Sequence, residues 1–223
     1  IDEGITTIGD LAFSECHNLT KITIPESIVS IGFYAFYDCD SLTSLILPES
    51  LTTIDDSAFV YCSSLTSITI PDSVKAISDY AFNSCTNLTD ITIGEGVTII
   101  GDASFSHCIN LKSVTIPDKV TMIDDYAFNN CSSLEIVTIG DGVISIGESA
   151  FGYCESLTEL TIGKSVKSIG NRAFHSCSNL TSLTIPDSAI GTSAFYDCDR
   201  LTSVTIGNCD TTIGDSVATI GDY

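Results

Sequence analysis

Apolar residues return along this chain at a fixed spacing. Leu19, Ile22, Ile24, Ile28, Ile31, Phe36 and Cys39 are followed 23 residues later by Leu42, Leu45, Leu47, Leu51, Ile54, Phe59 and Cys62. Cysteine keeps the beat, since Cys16, Cys39, Cys62, Cys85, Cys108, Cys131, Cys154 and Cys177 each lie 23 positions after the last. A period of this size marks a solenoid, in which no coil can bury its apolar edge alone and each neighbour supplies the missing contacts.

Within one unit the alternation Leu19, Ile22, Ile24 predicts a short strand, with Ile22 and Ile24 inward and residues 21 and 23 outward. Proline (Pro25, Pro48, Pro71, Pro117, Pro186) or glycine (Gly94, Gly140, Gly163, Gly207) ends it and sets a turn. A second short extended piece follows, as in Val74–Ile77. Then 79–85, Asp-Tyr-Ala-Phe-Asn-Ser-Cys, reads as a single helical or 3₁₀ turn with the aspartate as its N-cap. The expected fold is therefore a repeat solenoid: a single domain over 1–223 of about nine 23-residue coils, with short second strands and single turns on the other side. Two places break the beat. Two residues are missing between Ser188 and Ile190, which predicts tightening where the second extended piece should be. A shortcut at 207–211 carries Cys209 ahead of Thr212–Tyr223, which repeats the pattern of Thr69–Tyr80.

Charge and cysteine count narrow the function. Eight Lys+Arg against 29 Asp+Glu give a formal charge of -21, which argues against nucleic acid as a partner and favours cations. No run of 18 apolar residues is present, so no membrane insertion is expected, and Ile1 falls inside a repeat, as in a chain excised from a longer one. Eight of the ten cysteines share one repeat position, which fits reduced thiols buried as small hydrophobes; Cys198 and Cys209 are the pair to test for a bridge. His17, His107 and His175 fall at three different repeat positions and read as scattered surface residues. No Ser-His-Asp arrangement, phosphate loop or Cys-x-x-Cys occurs, so an enzyme is not expected and no cofactor is implied.

Two acidic columns run along the stack. One (Asp10, Asp56, Asp79, Asp102, Asp125, Glu148, Asp215) precedes the Ala-Phe turn, and the other (Glu3, Glu26, Glu49, Asp72, Glu95, Asp118, Asp141, Asp187) follows the main strand. Like charges stacked about 5 Å apart repel, so weak, shared Ca²⁺ is an expectation, placed at Asp56, Asp79, Asp102 and Asp125. The outward residues of the main strand form a Ser/Thr array. Ser44, Ser67, Ser113, Ser182 and Ser203 stand in one file. Thr23, Thr69, Thr92, Thr115, Thr138, Thr161, Thr184 and Thr205 stand in the next. Lys21, Ile46, Asp90, Ile136 and Glu159 interrupt it, and departures on one face are where specificity can reside. Four N-glycosylation sequons, at Asn18, Asn87, Asn130 and Asn179, bear on function only if the chain passes through an ER.

The unit A-F-x-x-C-x-x-L-T-x-I-T-I-P-x-S-V-x-x-I-G resembles the BspA-like, or Treponema pallidum type, leucine-rich repeats over essentially the whole chain. The resemblance implies a leucine-rich repeat solenoid with a parallel β-sheet on its concave face. It also implies an extracellular or cell-surface location, adhesion or protein binding, and no catalytic residues. The expected function is a non-catalytic binding or adhesion module that meets an unidentified protein or glycan through the Ser/Thr strand face. The alternative is a structural segment that self-associates end to end, through uncapped ends, in a filament or surface layer.

Overall fold

The computed structural model describes residues 1–2 and 4–207. Glu3, Cys209, Asp215 and the repeat at 212–223 lie outside the described residues, and with them the Cys198–Cys209 pair. Successive coils stack in parallel, each 23 residues pairing with the next in constant register, so Ser30–Ile31 lies against Thr53–Ile54 and Ser67–Ile70 against Asp90–Ile93. The unbroken sheet is built from the short second pieces. Thr7–Ile8, Ser30–Ile31, Thr53–Ile54, Ala76–Ile77, Ile99–Ile100, Met122–Ile123, Ser145–Ile146, Ser168–Ile169 and Ala189–Ile190 form one nine-stranded sheet. The main strands form three smaller sheets, joining Ser67–Ile70 to Asp90–Ile93, then Ser113–Ile116, Ile136–Ile139 and Glu159–Thr161, then Ser182–Ile185 to Ser203–Ile206. Between the first two of these, the Lys112 amide still donates to the Thr89 carbonyl, so the coils stay in step.

The interior is a set of ladders. Phe13 to Phe195 stack ring on ring with centroids 5.1 to 5.4 Å apart and planes within 13° of parallel. The spacing follows the coil repeat, slightly wider than the ~4.8 Å of an ideal sheet. Beside the rings run buried files of Ala, Cys, Leu and Ile. Burying each Phe or Leu contributes about 1.5–3 kcal/mol, and no coil achieves this without both neighbours. The nine described cysteines are free thiols, as expected. They are more than small hydrophobes, because the eight from Cys39 to Cys198 each donate to the phenylalanine carbonyl of the coil before. Cys85 Sγ reaches Phe59 O at 3.3 Å and Cys108 Sγ reaches Phe82 O at 3.4 Å.

The Ala-Phe segment is a run of hydrogen-bonded turns, and here the helical expectation is corrected. Ala81, Asn83 and Cys85 amides close back on Ser78, Tyr80 and Phe82 carbonyls within the coil. Tyr80, Phe82 and Ser84 amides donate instead to Asp102, Ser104 and Ser106 carbonyls of the next coil. This alternation is possible because Tyr80 and Ser84 take left-handed conformations, with φ of 57° and 59°. The described coils hold 18 such non-glycine residues, two per turn segment. A helical turn would point its N–H groups along its own axis and leave neighbouring coils joined there by side chains alone. Each left-handed residue costs about 1–2 kcal/mol, offset in part by a hydrogen bond between coils worth about 0.5–1.5 kcal/mol.

The shortened coil is also resolved differently from expectation. The second strand survives intact there, since Ala189 and Ile190 pair in register with Ser168 and Ile169. Ser188 Oγ donates to Val166 O at 2.7 Å, as Ser50 Oγ does to Ile28 O. The two missing residues are therefore the buried aliphatic that follows the serine, the counterpart of Val74 or Val166, and the exposed residue after it. The loss falls in the turn between the strands because the register of Ala189–Ile190 is fixed by pairing.

Candidate binding face

The main strands present their alternate residues as the sequence predicts. Ile68 and Ile70 point inward, and Ser67 and Thr69 outward. Register aligns the outward residues into straight files: Lys21 opposite Ser44, Ser67 opposite Asp90, Ser113 opposite Ile136 opposite Glu159, and Thr115 opposite Thr138 opposite Thr161. All are exposed save Thr138, which is half-buried. Ile46 is the most exposed large apolar residue described, at 82%, and Ile136 stands 41% exposed in the other file.

Hydroxyl chemistry separates this face from the threonine files that lead into the strands. On the opposite sheet, Thr52, Thr98 and Thr121 donate to the carbonyls of Val29, Lys75 and Thr98 in the preceding coil, at 2.9 to 3.1 Å. At the entry to the main strand, Thr43, Thr89 and Thr202 do the same toward Thr20, Thr66 and Thr181. The turn serines Ser27, Ser50, Ser73 and Ser188 also donate to backbone carbonyls one coil back. Among the described residues, none of the hydroxyls in the two outward files has an intramolecular hydrogen-bond partner. They are polar groups held in register and left for water or a ligand.

The repeated unit matches the family model for the BspA type leucine rich repeat region in six copies, over residues 6–135 and 98–219. The chain belongs to the BspA type leucine-rich repeat family. It is similar to a leucine-rich repeat protein from Bacteroides ovatus, with 28% identity and a TM-score of 0.72 over 91% of this chain. It is also similar to the T. pallidum leucine-rich repeat protein, with 31% identity and a TM-score of 0.64 over 70% of this chain. It spans 59% of the Bacteroides chain and 74% of the T. pallidum chain. No curated protein matches.

At the C-terminal end of the described face of this BspA type chain, an open hollow of about 970 Å³ lies beside Thr161, Lys164, Lys167, Thr184 and Thr205. Lys164 is tied to Asp141 at 2.6 Å, and that hydrogen bond holds the Asp141 carboxyl below its ordinary range.

The acidic columns act as connectors between coils. Asp10, Asp79 and Asp125 accept the amides of Phe33, Asp102 and Glu148 one coil on, in place of the expected N-cap of their own turn. In the other column Asp72, Asp118 and Asp141 accept the amides of Glu95, Asp141 and Lys164. Their mutual repulsion is nevertheless present. Burial first and the Asp79 charge second push the carboxyls of Asp56 and Asp102 upward. Among the described residues, Asp56, Asp79, Asp102 and Asp125 do not bring three ligand atoms together. Such a convergence occurs instead at His17, Asp38 and Asp40, whose ligand atoms all lie within 4.8 Å of one another. His17 is thus no scattered residue. The signal was available in the sequence, because Asp40 lies one period after His17 and Asp38 two residues earlier, but comparing histidines only with histidines does not find it.

His107 and His175 have partners of a structural kind. Ser106 Oγ lies 2.9 Å from His107 Nδ1. His175 is buried against Tyr153 with Nδ1 2.7 Å from the Arg172 carbonyl.

Proposed function

We propose that the chain is a non-catalytic binding or adhesion module of an extracellular or cell-surface protein, and that it engages a protein or glycan through the two outward Ser/Thr files. The observation that supports this reading is the contrast in hydroxyl use. Threonines that lead into the strands, such as Thr52, Thr89 and Thr98, donate to the neighbouring coil, whereas those described on the main-strand face donate to nothing among the described residues. A rigid, regular array of unpartnered hydroxyls gives hydrogen bonds to a ligand with little ordering cost. Ile46 and Ile136 add apolar anchors, and Lys21, Asp90 and Glu159 add charges that break the symmetry along the stack. The charge of -21 points away from nucleic acid. No helix of the described residues is long and apolar enough to cross a membrane.

The test is surface plasmon resonance and glycan-array binding, with panels of purified extracellular matrix proteins and surface glycans, comparing the wild-type chain with Thr92→Val/Thr115→Val/Thr138→Val. The triple variant keeps the β-branched shape and removes three hydroxyls. Loss of a wild-type interaction in this variant, with Thr98→Val on the other sheet still binding, supports the reading. Equal binding by the triple variant contradicts it. In the alternative reading the chain is a structural segment that self-associates in a filament or surface layer. A concentration-independent monomer mass in light scattering would rule that out.

A further inference from the structure

We propose that His17, Asp38 and Asp40 form a surface site for one Zn²⁺ ion, bridging the first two coils. The site lies off the Ser/Thr face, and its case is independent of the binding function proposed above. His17 Nδ1 stands 3.7 Å from Asp40 Oδ2 and 3.9 Å from Asp38 Oδ2, with the side chains 51%, 47% and 36% exposed. Tetrahedral coordination at about 2.0–2.1 Å places neighbouring ligand atoms about 3.3 Å apart, so the two pairs that include His17 have only about half an ångström to close, and the two carboxylates lie within 4.8 Å of each other.

The backbone that carries these groups is fixed. Cys39, between the two aspartates, is fully buried, with its amide on the Phe36 carbonyl and its thiol on the Phe13 carbonyl at 3.1 Å. The Asp38 amide donates to Val60 O at 2.8 Å and the His17 amide to Glu15 O at 2.9 Å. Asp38 sits in the left-handed conformation, φ 53°, which is part of the turn path that sets it beside His17. The ligands therefore stand on stems held by the stacking itself, the preorganisation a metal site needs.

The donor set also selects the ion. One imidazole nitrogen and two carboxylate oxygens suit Zn²⁺, whereas Ca²⁺ takes six to eight oxygens and Mg²⁺ prefers oxygen and water. Three protein ligands leave a position for water, and the exposure of the cluster gives the ion a path in. The arrangement is particular to this corner: Asp197 and Asp199 repeat the acidic pair around Cys198, but Ser178 stands in the coil before them where His17 stands here. A Zn²⁺ ion here also offsets two carboxylates in a chain with few cations.

The experiment is isothermal titration of the untagged full chain with ZnCl₂ at neutral pH, with a non-chelating reductant and millimolar Ca²⁺ and Mg²⁺ present. His17→Ala, Asp40→Asn and the thiol control Cys16→Ser/Cys209→Ser are run beside it. The expected result is one saturable Zn²⁺ per chain, weakened at least about tenfold by either ligand substitution and unchanged in the thiol control. Hydrogen exchange gives a second readout: Zn²⁺ should slow exchange of the Val29 and Gly32 amides, which join the first coil to the second, in the wild type and not in His17→Ala. Three results overturn the proposal: no saturable binding in the wild type, equal binding in His17→Ala and Asp40→Asn, or loss of binding in the thiol control. The urea midpoints of both ligand variants, whose sites are exposed, show that they remain folded.

Discussion

Ser104 is the one residue in the buried alanine file that carries a polar atom. Ala35, Ala58, Ala81, Ala127, Ala150 and Ala173 fill the same position in other coils, all fully buried, and Ser104 is equally buried. Its hydroxyl has no hydrogen-bond partner. A hydroxyl taken out of water without a partner costs about 1–3 kcal/mol, and the alanine that replaces it would repeat a packing already present on both sides. Ser104→Ala should therefore stabilise the chain by about 1–2 kcal/mol, and the reverse change Ala127→Ser should destabilise it by a similar amount. Equilibrium urea unfolding, followed by far-UV circular dichroism, measures both. The midpoint should rise for Ser104→Ala and fall for Ala127→Ser with the slope unchanged, since neither change alters the surface exposed on unfolding. If Ser104→Ala lowers the midpoint, the hydroxyl has a partner in solution, and the account of the alanine file as a purely steric contact between coils is refuted.

Further outcomes follow from the same geometry. Thr98→Val removes a hydroxyl that donates to Lys75 O at 2.9 Å and should cost about 0.5–1.5 kcal/mol, whereas Thr115→Val should change the urea midpoint by less than about 0.5 kcal/mol. Phe105→Ala, at the centre of the ring stack, should cost about 3–5 kcal/mol in the same assay. Gly142→Ala should also unfold the chain at lower urea, because the new Cβ would lie on the backbone carbonyl oxygen of Asp118. Burial raises the Cys131 thiol from 9.0 to about 12, so its contribution is fully present below pH 9 and is lost as the pH rises through about 12. Cys39 and Cys198 are raised to about 11 for the same leading reason. Stability should fall steadily from pH 9 upward, and Cys131→Ala should lessen the slope.

How much of this was legible in the sequence depends on what periodicity can encode. A spacing of 23 fixes which residues stack on which, so the coils, the inward Ile68 and Ile70, the Phe and Cys ladders and the outward Ser/Thr files could all be read from it. Local conformation in the turn could not, because Tyr80 and Ser84 are not residue types that announce a left-handed φ. They adopt it because the next coil offers carbonyls to their amides. Nor does sequence distinguish Thr92 from Thr98, each a threonine among aliphatics. Only the placement of the neighbouring coil shows that the Thr98 hydroxyl has a partner and the Thr92 hydroxyl has none. The aspartates misread as N-caps share this origin, since their acceptors serve the coil ahead. The His17 cluster joins two repeat positions across two coils, and a reading that follows one column at a time does not see it.

In the proposed reading the main-strand hydroxyls serve a partner, and hydroxyls such as those of Thr52, Thr89 and Thr98 serve the fold. The most direct measurement pairs urea unfolding with array binding for Thr92→Val/Thr115→Val/Thr138→Val. The expected result is a midpoint within about 0.5 kcal/mol of wild type together with loss of the bound protein or glycan. A triple variant that binds as wild type does, or that unfolds at clearly lower urea, would contradict it.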